Sequence, residues 1–174
     1  MGGHTASLLL GAQLTDPRDG TTVTLADPRI TAGVLLAAPG RGGDALTAFT
    51  TEQYSFFCTT DFSTMTTPAL VVAGDHDASA FLTVAGPAWN TDPYHLAPSP
   101  KSLLTLTDAE HCLGGISGYD AAETTDENPE RVQAVAQLTS AYLRTQLGSD
   151  PTTWPTAQQR FAARPTPLGQ VESK

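Results

Sequence analysis

Basic residues are scarce in this chain. Its 174 residues include 9 Lys and Arg against 18 Asp and Glu, a formal net charge of −9. Nucleic acid and anionic membrane both call for clustered Lys and Arg, so neither is expected as a partner; solubility is the plainer use of the acidity. There are 2 cysteines, Cys58 and Cys112, in neither CxxC nor metal-ligand spacing. That pattern suits a reduced compartment or indifference to redox, and leaves a disulfide open. No apolar run approaches the roughly 20 residues of a membrane helix. The opening MGGHTASLLLGAQ lacks a basic leader and has too short an apolar stretch for a signal peptide. A soluble protein retained in the cytoplasm is expected.

What remains is a globular composition: 40% hydrophobic residues, with 15 glycines and 13 prolines. The length fits one domain with a real core. The chain opens into a short helical pattern, His4 to Gly11, followed by a polar, turn-rich stretch through Asp16–Gly20. Three continuous apolar runs follow: Ala32–Ala38, Pro68–Gly74 and Lys101–Leu106. Each reads as a strand buried on both faces. A glycine-rich acidic loop, residues 114–128, leads into the clearest helix. Asn128 is its N-cap, Pro129 its first residue, and Val132, Val135, Leu138 and Tyr142 its apolar stripe, widened by Leu143 and Leu147. Gly148 marks its stop. Residues 149–174 carry several prolines and are expected to form a tail that wraps the surface or hangs loose.

About three buried strands joined by long connections predict an α/β fold with a parallel sheet. So few strands and helices leave the faces poorly covered and the sheet incomplete, and the first helix has no strand before it. The chain therefore looks like the later part of a larger fold, and its uncovered sheet edge invites a second copy into a homo-oligomer.

In open parallel sheets, reactive groups gather just past the C-terminal ends of strands. The second strand is followed by Gly74-Asp75-His76-Asp77 and the third by Thr107-Asp108-Ala109-Glu110-His111. An acid and then a histidine after successive strands is the later part of the order nucleophile, acid, base. The acid is assigned to Asp77, with Asp75 as its rival, and the base to His111. In such a set a neutral imidazole takes the nucleophile's proton, and the carboxylate fixes the tautomer and stabilises the imidazolium.

The stretches MGGHTASLLLG, ITAGVLLAAPGRGG, TTPALVVAGDHD and AEHCLGGISGYDAAET give the chain a family likeness. From Met1 to about Leu147 it resembles the serine α/β-hydrolases of the chlorophyllase-like and carboxylesterase group, found among bacterial and plant esterases. The resemblance implies that residues 1–148 are the C-terminal part of an α/β-hydrolase domain. It also implies that the nucleophilic serine of a G-H-S-M-G-G elbow precedes Met1. Met1 would then give its backbone N–H to the oxyanion hole, and Gly2 and Gly3 would let the first helix pack tightly. Thr5 and Ser7 lie on the expected helix and are poor substitutes for that serine.

The implied reaction is hydrolysis of a small-molecule ester through an acyl-enzyme, with no dissociable cofactor. Two alternatives remain: an amide or lactone hydrolase using the same triad, or a non-catalytic fragment that binds or oligomerises. Phe81, Trp89 and Tyr94 lie between acid and base and are candidates for a substrate wall; packing beneath the loop is the competing role. Phe49, Tyr54, Phe56 and Phe57 stand in the same position ahead of the second strand. His76 and His95 read as solvated loop histidines rather than metal ligands. Asp120, Glu123, Asp126 and Glu127 match a calcium loop only loosely, and their simpler use is to place negative charge at the start of the Asn128 helix.

Overall fold

A computed structural model describes residues 2–118, 122, 124–148 and 150–174. The chain runs α1 (Gly2–Leu9), β1 (Gln13–Thr15), β2 (Thr22–Thr24), β3 (Gly33–Leu36), α2 (Ala48–Gln53) and β4 (Ala69–Gly74). It continues with α3 (Asp92–Leu96), β5 (Lys101–Leu106), α4 (Pro129–Gln146), α5 (Thr153–Ala162) and β6 (Gly169–Ser173). A 3₁₀ turn, Gly86–Thr91, leads directly into α3. No described helix is long and apolar enough to cross a membrane.

The three apolar runs form β3, β4 and β5, which lie parallel and adjacent in chain order. All six residues of β4 are buried. Alternate side chains serve opposite layers. Leu70 and Val72 join Leu104 and Leu106 in one apolar cluster, and Ala69, Val71 and Ala73 join Leu103 in the other. A strand covered on both faces has no position for a polar alternate, which is why these runs are continuously apolar. The turn-rich stretch after α1 holds a small antiparallel hairpin, β1 paired with β2, that lies apart from the main sheet.

The helix α4 starts as its sequence predicts. The Asn128 side chain accepts the N–H groups of Glu130 and Arg131, and the stripe Val135, Leu138 and Tyr142 is buried against the sheet. Leu147 departs from the stripe: the helix ends at Gln146, and this side chain is exposed.

The largest correction concerns residues 150–174. They are neither loose nor merely superficial. Trp154 and Phe161 of α5, together with Leu168, are buried in the same cluster as α4, with the Trp154 ring edge-on to Tyr142 at 5.2 Å. Beyond them β6 pairs antiparallel with β5, Leu104 opposite Val171, making a mixed sheet of four strands in the order β3-β4-β5-β6. The prolines misled because Pro155 falls in the first turn of α5, where a missing N–H costs no intrahelical bond. Both sheet faces are consequently covered, α4 and α5 on one side, α1 with Phe62, Met65 and Tyr94 on the other. The poor coverage expected from the sequence does not arise. Among the described residues, β3 pairs with β4 alone.

Candidate active site

β4 and β5 stay in register to their last residues, Gly74 opposite Leu106, so the turns that follow begin side by side. Backbone bonds extend the pairing beyond the strands: Asp75 N–H to Leu106 O at 3.1 Å and His76 N–H to Ala109 O at 3.0 Å. Only glycine permits this approach at position 74, because a Cβ there would lie 2.0 Å from the Ala109 carbonyl oxygen.

The two turns bring Asp77 and His111 together. His111 Nδ1 lies 3.0 Å from Asp77 Oδ2. A carboxylate can only accept, so the proton of this bond sits on Nδ1 and Nε2 is the nitrogen left for proton exchange. The partners differ in access: the Asp77 side chain is 3% exposed and that of His111 70%. The bond to Asp77 raises the imidazole above its ordinary pKa of 6.5, against the opposing effect of partial burial. Asp75, the rival acid, points to solvent.

Two neighbours of this pair have roles there that the sequence does not indicate. Asn90 is buried and donates its side-chain N–H to Asp77 Oδ2. Asp126 Oδ2 accepts the backbone N–H groups of Glu110 and Gly114, each at 2.9 Å, and so fastens the loop on both sides of His111. Its expected use was charge at the start of α4; its actual contacts tie that start to the histidine loop. Asp120 and Glu123 lie outside the described residues.

A cavity of about 680 Å³ opens at the pair, with Phe57, Phe81, Leu82 and Trp89 among its apolar walls and His76 and Glu110 among its polar ones. Phe81 and Trp89 both line this cavity. Phe81 is half exposed and packs at a tilt against Phe49, ring centroids 4.3 Å apart. Trp89 is buried and donates Nε1–H to Arg41 O at 2.8 Å. Tyr54 and Phe57 join the same wall, as half of the earlier aromatic group. Tyr94 is a correction: it is buried in the apolar cluster between α1 and the sheet and is not among the cavity walls. Helix α3 packs on β4 and β5 and carries Tyr94 beneath the sheet rather than over its end. Another hollow, of about 470 Å³, lies between α4 and α5 and shares no residue with the first.

Helix α1 packs against β3 and the residues that follow it. A Cβ on Gly3 would fall 2.7 Å from Ala38 Cα, so glycine is needed where the helix meets the end of β3; Gly2 has open space around it. Ala37 and Pro39, either side of that contact, line the cavity. Met1, the expected oxyanion donor, lies outside the described residues. Ser7 is fully buried and spends its hydroxyl on Gly3 O at 3.0 Å, whereas Thr5 is exposed. His76 and His95 are exposed, His76 lying 3.9 Å from Asp108. Ala37, Asp108 and Leu113 all adopt positive φ, at 43°, 52° and 52°. These are costly conformations for residues with a Cβ, gathered around one site.

Compared with protein-family models, with curated proteins and with solved structures, the chain finds no match in any of the three.

Proposed function

We propose that this chain carries the acid and base of an ester hydrolase whose nucleophile is a serine immediately ahead of Met1. One observation carries the reading: a buried carboxylate bonded to Nδ1 of an accessible histidine, at the mouth of a largely apolar cavity beyond the ends of parallel strands. In this arrangement His111 Nε2 removes the serine proton as the hydroxyl attacks the ester carbonyl, and then returns it to the departing alcohol. Water repeats the cycle on the acyl-enzyme. Asp77 holds the tautomer and stabilises the imidazolium. The close seat of α1 on Ala38 supports the position of the nucleophile, because it sets Gly3, in the first turn of the helix, against the segment whose Ala37 and Pro39 line the cavity.

Fluorophosphonate labelling tests the proposal. Residues 1–174 alone should not label stoichiometrically. A longer chain, carrying the upstream reading frame with its serine, should label at that serine and hydrolyse short aryl esters. His111→Ala in the longer chain should lower turnover on the order of 10⁴-fold or more. Stoichiometric labelling of Thr5, Ser7 or Ser79 within 1–174, or an upstream frame that encodes no such serine, would overturn it. Binding of esters without turnover by the longer chain would instead favour a non-catalytic role.

A further inference from the structure

We infer that Asn90 is a positioning residue that aims the Asp77 carboxylate at His111, acting through Asp77 without touching the reacting atoms. This rests on the reading of Asp77 and His111 as an acid–base pair. Both Asn90 and His111 reach the same oxygen, Oδ2 of Asp77. Asn90 and Asp77 are each about 4% exposed, so no bulk water competes for that oxygen from the Asn90 side. A carboxylate rotating about its χ2 bond in a buried site would otherwise present either oxygen, or neither, to the imidazole.

The amide is itself held in place by its neighbours. Trp89 donates Nε1–H to Arg41 O at 2.8 Å, and Asp92 Oδ2 accepts Arg41 N–H at 3.0 Å. Residues on either side of Asn90 are thus clamped to one residue of the loop that follows β3. The 3₁₀ turn carrying Asn90 also packs against β4, the strand that delivers Asp77. Positioning therefore runs from the loop after β3, through the 3₁₀ turn, to the carboxylate.

The test needs no turnover and uses residues 1–174 as they stand. ¹⁵N NMR of the imidazole ring reports which nitrogen of neutral His111 carries the proton, a signature that a merely structural residue would not move. The unmodified chain should show the Nδ1–H tautomer. Asp77→Ala should return the ring toward the ordinary Nε2–H form, and Asn90→Leu, which keeps the bulk but removes the donor, should lower the Nδ1–H population several-fold with the fold intact. His76→Gln, altering the other imidazole at the cavity, should leave the His111 signals in place. If Asp77→Ala changes nothing, the acid–base pair itself is wrong. If Asp77→Ala acts and a folded Asn90→Leu does not, the pair stands and the role of Asn90 is refuted. Should Asn90→Leu fail to fold, exchange of the Asn90 side-chain amide protons decides. They should be protected in the unmodified chain and lose that protection in Asp77→Ala; equal exchange in both overturns the inference.

Discussion

His4 and His111 respond to acid in opposite ways. His4 is buried, bonded through Nε2 to Thr60 Oγ1 at 3.1 Å and edge-on to Phe57. Burial, its main perturbation, holds its pKa below 6.5. The unfolded chain therefore binds this proton first: the stability His4 contributes is present above pH 6.5 and lost as pH falls through its lowered value. His111, raised by Asp77, contributes below pH 6.5 and loses that contribution as pH rises through its folded value. Urea unfolding between pH 4 and 8 should show the two trends separately, with His4→Gln flattening the acid limb and Asp77→Ala the neutral one. Backbone strain can be probed in the same way. Ala37 holds φ at 43°, and replacing it with glycine should relieve about 1 kcal/mol of steric cost, partly offset by chain entropy. The expected result is a small rise in Tm.

At the scale of elements, the loop bearing His111 depends on Asp126. Asp126→Ala removes the acceptor of two backbone N–H groups. It should cost about 2 kcal/mol or more in unfolding free energy, with faster amide exchange at Glu110 and Gly114 as its local mark. A second element-scale prediction concerns the start of β5. Lys101 is buried, its ammonium donating to the carbonyls of Pro98 and Pro100, and burial with Lys174 nearby lowers its pKa to about 8. A lysine depressed in the folded state contributes fully only above its unfolded value of 10.5. Stability should thus climb as pH rises from about 8 toward 10, and Lys101→Met should abolish the climb. Above pH 10 the raised pKa of buried Tyr142 acts in the other direction. Much of this scale is legible in the chain itself. β5 spans the residues its apolar run marks, and the Asn128 cap opens α4, because local rules and tertiary context agree there. Asn90 was illegible because its meaning lies wholly in a partner 13 residues away. Tyr94 departs from expectation for a related reason: position between Asp77 and His111 says nothing about which side of the sheet a short helix will occupy.

For the molecule as a whole, the closing segment decides whether the core is shut. Residues 150–174 supply Trp154, Phe161 and Leu168 to the core and β6 to the sheet. Truncation after Gly148 should leave a chain that binds a hydrophobic dye and fails to unfold cooperatively. Trp154→Ala in the full chain should cost about 3–5 kcal/mol. This dependence was hidden by composition, since proline-rich chain reads as tail until its prolines are seen to fall at helix starts and links. The meeting of His111 with a carboxylate, by contrast, is legible from their places after successive strands, and the fold shows that Asp77 rather than the exposed Asp75 lies beside the imidazole.

The backbone seam between Gly74 and Ala109 separates two duties that many binding sites leave entangled. The spacing of Asp77 and His111 is set by strand register and by bonds between their own turns. The residues that shape the hollow, such as Phe81 and Leu82, hang from a different stretch of chain. Phe81 and Leu82 can accordingly change what the cavity admits without touching the seam, since neither contributes a bond to the turns that space carboxylate and imidazole.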